Sequence, residues 1–170
     1  MVTFVFTDIE GSTRRWEADA NAMRAALLVH DEVLRTAIET HGGYLFSHTG
    51  DGVVAAFASP KCAVDAAVAA QRALELPVRM GLATGEAELR DADYFGTVRN
   101  RAARVMAAGH GGQILVADST AVLLSGIDLA RMAGCLQRVI VRAPCPPEHP
   151  LTGQRTEPAR PVPRGSGWGR

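Results

Sequence analysis

Two aspartates, each beside a glycine turn and an apolar strand, are the residues of this chain best suited to chemistry. In Val2-Thr3-Phe4-Val5-Phe6-Thr7-Asp8-Ile9-Glu10-Gly11-Ser12-Thr13 an apolar alternation runs into a turn, with Asp8 at the strand edge. In Thr49-Gly50-Asp51-Gly52-Val53-Val54-Ala55-Ala56-Phe57 the turn comes first and Asp51 precedes the strand. Carboxylates held at strand ends suit hard divalent cations, and such cations hold and polarise phosphates. Singly, each is an ordinary turn aspartate. On adjacent strands the pair would bring two carboxylates to one spot, where they could bridge the two cations of a phosphoryl-transfer site.

Other residues fit the same chemistry less sharply. Gly11-Ser12-Thr13 follows Asp8 and opens onto a helix, where free backbone N–H groups could hold a triphosphate. An ordinary Ser/Thr helix cap is the simpler account. The stretch is not a Walker A loop, because the Gly-Lys-Ser/Thr ending is missing. Asn100 and Arg104 are four apart on a predicted helix and share a face. An amide and a guanidinium there could position a sugar and neutralise a phosphorane, although periodicity alone favours a solvated polar face. Arg99 and Arg101 are read as such a face. Asp93, in the predicted loop before that helix, could accept a hydrogen bond from an exocyclic amino group or simply face water. His30 and His48 are read as structural, and Trp16 carries no arguable chemistry.

The elements that must position these groups follow from periodicity. Strand spacing is seen at Val2–Phe6, Tyr44–Phe46, Val53–Phe57, Val78–Leu82 and Gln113–Val116. Helical spacing places Met23, Leu27, His30, Leu34, Ala37 and Ile38 on one face of a helix from about Asn21 to Thr40, ended by Gly42-Gly43. Gly50-Asp51-Gly52 joins two strands as a hairpin. Ser59-Pro60 caps and starts an Ala-rich helix with Val64, Ala67 and Val68 inward. A helix runs from about Val98 to Ala108, and Ser119 caps a short one to about Leu124. The alternation implies a mixed sheet with helices on one face.

Bulk properties narrow the class. The chain has 170 residues, 47% hydrophobic and 21% charged, enough for one domain with a core. Eighteen basic and eighteen acidic residues cancel, so charge argues for neither nucleic acid nor an anionic membrane as partner. There is no signal-peptide pattern and no bilayer-length apolar run, so a cytoplasmic location is expected. Cys62, Cys135 and Cys145 lack metal-ligand spacing and are read as reduced thiols. Lys61 is the only lysine. The expected organisation is a domain over 1–128, a diverged segment over 129–152 with one more strand near Cys135–Val141, and a disordered Arg-, Pro- and Gly-rich tail over 153–170.

Taken in order, Phe6-Thr7-Asp8-Ile9-Glu10-Gly11-Ser12-Thr13, Thr49-Gly50-Asp51-Gly52, Val78-Arg79-Met80-Gly81-Leu82-Ala83-Thr84-Gly85, Asp93 to Arg104 and Gly111-Gly112-Gln113-Ile114-Leu115 resemble the class III nucleotidyl cyclases. This is the adenylyl/guanylyl cyclase catalytic domain, and the chain is most similar to short actinobacterial members of mycobacterial type. The resemblance covers about Met1 to Leu124, and the arginine bias suits a GC-rich genome. It implies an α+β fold with a ferredoxin-like palm, and a head-to-tail homodimer with active sites at the interface. It further implies conversion of ATP to 3′,5′-cyclic AMP and pyrophosphate with two divalent cations, Mg²⁺ or Mn²⁺. Asp8 and Asp51 would be the metal ligands, assisted by the Ile9 carbonyl. Asn100 and Arg104 would come from the partner subunit, and Asp93 would read the adenine amino group.

The departures from the family matter too. The adenine-selecting lysine of the family falls at Ser47, which can donate or accept, so GTP is a second candidate substrate. From about Leu129 the family pattern is lost, where a basic residue reaches the triphosphate; Arg131 or Arg138 could serve in its place. Two rival readings remain: a nucleotide-binding or regulatory cyclase homologue, and a palm enzyme acting on another nucleotide, such as a dinucleotide cyclase. The Asn100/Arg104 pair and the absence of a Gly-Gly-acidic-acidic-Phe hairpin argue against the last.

Overall fold

The structure is a computed structural model that describes residues 1–90, 93–125 and 140–143. Its strands are β1 (Val2–Ile9), β2 (Tyr44–His48), β3 (Val53–Phe57), β4 (Val78–Gly85), β5 (Glu88–Arg90), β6 (Asp93–Phe95), β7 (Ile114–Ala117) and β8 (Ile140–Ala143). Its helices are α1 (Ser12–Ala18), α2 (Ala20–Thr40), α3 (Pro60–Ala73), α4 (Thr97–Ala107) and α5 (Asp118–Leu123).

The six-stranded sheet has the order β2-β3-β1-β4-β7-β8, with β5 and β6 as a separate hairpin. The β2-β3-β1-β4 portion is antiparallel and is connected as a βαββαβ palm, the split motif in which two helical crossovers leave the first strand central. β7 and β8 add in parallel beyond β4, so the sheet is mixed.

Local chemistry sets the helix ends. The Asp19 carboxylate accepts from the Asn21 and Ala22 N–H groups at 3.0 and 2.9 Å, starting α2. Ser59 accepts from Cys62 N–H and Pro60 occupies the first turn of α3, as expected. α5 departs from expectation. It begins after Ala117 without a side-chain cap, and the Ser119 hydroxyl instead donates to the Thr84 carbonyl at 3.4 Å.

Helices cover both sheet faces, not one. α2 and α3 bury Met23, Leu34, Ile38, Val64 and Ala67 against Val5, Ile9, Val53, Phe57, Met80 and Leu82. On the reverse face α4 buries Val98, Ala102 and Val105 against Phe4, Ala56, Ala83 and Leu115. The physical reason is the alternation within the strands. Phe4, Ala56 and Ala83 are themselves apolar and buried, so both faces of the central strands need cover. α4 lies very close to the sheet: a side chain on Gly81 would meet the backbone N of Met106 at 2.2 Å.

Two further corrections concern irregular regions. Asp93 begins strand β6, paired in register with Arg90, rather than lying in a loop. Arg99 is not a purely solvated charge, because its guanidinium sits 5.6 Å from the centre of the Phe46 ring. β8 overlaps the expected final strand at Ile140 and Val141. The remainder of that expectation, the expected tail over 153–170, and Arg131 and Arg138 lie outside the described residues.

Candidate active site

The β1 end of the sheet collects the charged groups. β1 runs antiparallel to β3, with Phe6 opposite Val54. Continuing that register places the β2–β3 turn beside Thr7 and Asp8. The buried Thr7 hydroxyl accepts from Val53 N–H at 2.9 Å, fixing the start of β3 against β1. Gly52 sits so close that a Cβ there would lie 1.9 Å from the Thr7 carbonyl oxygen. Only glycine leaves room for this approach. The turn closes on itself through Thr49 N–H to the Gly52 carbonyl at 2.9 Å, with Gly50 in the left-handed region at φ 92°.

Asp51 is thereby delivered to the end of β1. Its Oδ2 accepts from the Ser12 hydroxyl at 2.5 Å, which ties the hairpin turn to the first residue of α1. Asp8 stands opposite Arg79 on β4. Its Oδ2 accepts from Arg79 Nε at 2.7 Å and lies 2.5 Å from Nη2. Both partners are about three-quarters buried, so this pair is shielded from bulk water more than a surface ion pair is. Among the described residues, Oδ1 of Asp8 and Oδ1 of Asp51 make no hydrogen bond or ion pair.

The neighbouring turn is held by backbone and by Glu10. Glu10 N–H donates to the Pro77 carbonyl at 2.9 Å, and the Glu10 carboxylate accepts from Gly111 N–H at 3.1 Å. Gly11 is in the left-handed region at φ 70° and leads directly into α1 at Ser12 and Thr13. The Ile9 side chain is buried, anchoring the strand end that carries its carbonyl. Ser47 is half-buried on β2, next to the register shift between Leu45 and Ser47.

The residues expected from sequence fall into two groups. Asp8, Ile9, Asp51, Gly11, Ser12 and Thr13 converge at one end of the sheet. Asn100 and Arg104 lie on α4, one turn apart, with exposed side chains. An aromatic set borders the α4 face, with Phe4 edge-on to Phe46 at 5.9 Å and to Tyr94 at 5.2 Å, and exposed Tyr44 stacked on Phe46. His30 is buried and bonded through Nδ1 to Asp31 at 2.9 Å, in keeping with a structural role, while His48 is exposed.

Arg79 is the site residue that the sequence reading missed. A signal existed: Val78, Met80 and Leu82 face α2 and α3, so Arg79 had to face the other way, as Asp8 does between Thr7 and Ile9.

The donor set suits a hard divalent cation. Two open carboxylate oxygens and a strand-end carbonyl are the ligand types such ions prefer. Among the described residues there is no cluster of three or more His, Cys, Asp or Glu side chains. No helix of the described residues is long and apolar enough to cross a membrane.

Residues 1–148 match the family described as the adenylate and guanylate cyclase catalytic domain, and the chain belongs to that family, the class III nucleotidyl cyclases. An uncharacterised protein of Mycobacterium tuberculosis is 37% identical over 129 residues, covering 74% of this chain and 45% of its own length. The adenylate cyclase of Mycosarcoma maydis is 33% identical over 160 residues, covering 74% of this chain and 6% of its own length. The chain thus spans less than half the length of these curated relatives. Among solved structures, an adenylate cyclase of Trypanosoma brucei in its monomeric state superposes with a TM-score of 0.70 at 26% identity, over 76% of this chain and 78% of that one. An adenylate/guanylate cyclase/hydrolase from Silicibacter pomeroyi gives 0.64 at 27% identity, over 75% and 81%.

Proposed function

We propose that this chain is an adenylate cyclase, forming 3′,5′-cyclic AMP and pyrophosphate from ATP at a site completed by a second copy of itself. The observation that supports the reading is that Asp8, at the end of β1, and Asp51, in the turn packed on Thr7, lie at the same end of the sheet, each with a carboxylate oxygen outside the Arg79 and Ser12 bonds. Asp8, Asp51 and the Ile9 carbonyl would hold two divalent cations, Mg²⁺ or Mn²⁺. When bound, these acidify the ribose 3′-hydroxyl and neutralise the phosphates.

The protein's own groups do the rest. The Gly11-Ser12-Thr13 backbone at the start of α1 cradles the phosphates, and the Ser12 hydroxyl fixes Asp51. Asn100 orients the ribose so that its 3′-oxygen lies in line with the α-phosphorus. Arg104 stabilises the charge that builds on the α-phosphoryl group. No protein nucleophile is needed. Asp93 accepts from the adenine amino group and would oppose the guanine O6 acceptor. Ser47, in the base-selecting position the resemblance implies, would donate or accept at the base, so GTP is the competing substrate.

The partner copy enters for a geometric reason. Asn100 and Arg104 lie exposed on α4, and Tyr44 on the edge strand β2 is exposed as well. A second subunit docking there would supply the pair across the interface. Association is expected to be weak, in keeping with the monomeric state of the Trypanosoma brucei relative.

The test is purified protein incubated with Mn²⁺ and ATP or GTP, with chromatography for cyclic AMP and cyclic GMP. Cyclic AMP is expected, and Asp51→Ala should abolish it while keeping the circular dichroism spectrum. Parental turnover by Asp51→Ala refutes the assignment.

A further inference from the structure

The two carboxylates at the site are held in different ways. Oδ2 of Asp51 takes a neutral hydroxyl from Ser12, whereas Oδ2 of Asp8 takes two N–H groups of a guanidinium. A carboxylate oxygen can accept a hydroxyl hydrogen bond and still bind a cation through its other lone pair. Sharing with Arg79 is different, because a divalent cation on the same oxygen would face a full positive charge at contact distance in a largely buried site.

A single cation would be held by the open Oδ1 atoms of Asp8 and Asp51 together with the Ile9 carbonyl. Two cations bridged through both oxygens of each carboxylate would use Oδ2 of Asp8 as well. We propose that Arg79 makes cation loading stepwise: the nucleotide-free chain holds one divalent cation, and Arg79 keeps Oδ2 of Asp8 closed to a second. The inference rests on the metal assignment made above and concerns Arg79 as a positioning residue. Its setting supports the role. Asp8 and Arg79 are register partners on adjacent strands, so the backbone presents the guanidinium to that carboxylate without a loop having to order.

The experiment is a Mn²⁺ titration of nucleotide-free protein, following free Mn²⁺ by its electron paramagnetic resonance signal. All ligands named are on one chain, so dimerisation does not enter. The parent should bind one Mn²⁺ per chain in the accessible range. Arg79→Gln removes the charge and should bind two, with the second ion tightened at least about tenfold, as expected for removal of one adjacent like charge. Arg79→Lys keeps the charge and should bind one. Arg79→Met repeats the neutral case if Arg79→Gln melts early by circular dichroism. Asp51→Asn should weaken the first ion.

The outcomes separate the two claims. If the neutral variants bind as the parent does while Asp51→Asn weakens binding, the gating role is wrong and the metal site stands. If Arg79→Lys gains the second ion as Arg79→Gln does, charge is not the cause and the inference fails. If Asp51→Asn binds Mn²⁺ as the parent does, the metal assignment itself fails.

Discussion

Gly52→Ala tests the geometry of the site most directly. The new Cβ would sit 1.9 Å from the Thr7 carbonyl oxygen, 2.8 Å from its carbon and 3.0 Å from the Thr49 hydroxyl oxygen. The first two are backbone atoms of the central strand, which cannot rotate aside. To restore ordinary contact the turn must move off β1 by about 1.5 Å. Overpacking of this kind costs about 1–3 kcal/mol, and a fixed backbone obstacle puts the cost near about 3 kcal/mol. For a chain of this size that is a fall in melting temperature of about 6–12 °C. The movement also strains the Val53–Thr7 hydrogen bond and carries Asp51 away from Asp8. A misplacement of about 1 Å at reacting groups costs on the order of a hundredfold in rate. The assays are thermal melting by circular dichroism and cyclic AMP formation in Mn²⁺. Gly50→Ala is the control. Nothing lies within 4 Å of its added Cβ, and the cost is left-handed strain at φ 92°, about 1–2 kcal/mol. Gly52→Ala with parental melting and turnover would refute the account of how Asp51 is delivered.

Two further outcomes follow from the same structure. Mixing Asp51→Ala with Arg104→Ala protein should restore activity to about a quarter of the parent, because random pairing makes half the dimers mixed and each mixed dimer keeps one of two intact composite sites. No recovery under demonstrated subunit exchange would remove the shared-site reading. Phe4→Ala deletes a fully buried ring that meets Phe46 and Tyr94 edge-on, and should destabilise by about 3–5 kcal/mol in urea unfolding. A loss under about 1 kcal/mol would show that the reverse face is not a packed core.

Much of the palm was legible in the sequence because its signals are local. The alternation of Val2 to Phe6, the α2 stripe from Met23 to Ile38, the Ser59-Pro60 start and the Gly-Asp-Gly turn are each set by neighbours a few residues apart. Placement on the sheet was less legible. Nothing in the α4 periodicity says which face it covers. That depends on the small residues of the strands beneath, above all Gly81 under Met106. The β5–β6 hairpin escaped notice because three-residue strands carry almost no periodic signal.

The sequence alone determined that two acids end up at turn–strand junctions, since the residue types and glycines required for those turns are contiguous. It equally determined the family motif that frames them. Only the tertiary structure decided what those acids touch. Asp8 and Arg79 are 71 positions apart, and Ser12 and Asp51 are 39 apart. Their meeting depends on strand order and register, which are properties of the whole sheet. The commitment of one oxygen on each carboxylate, and the exposure of Asn100 and Arg104 on a separate helix, could therefore be read only once the chain was folded.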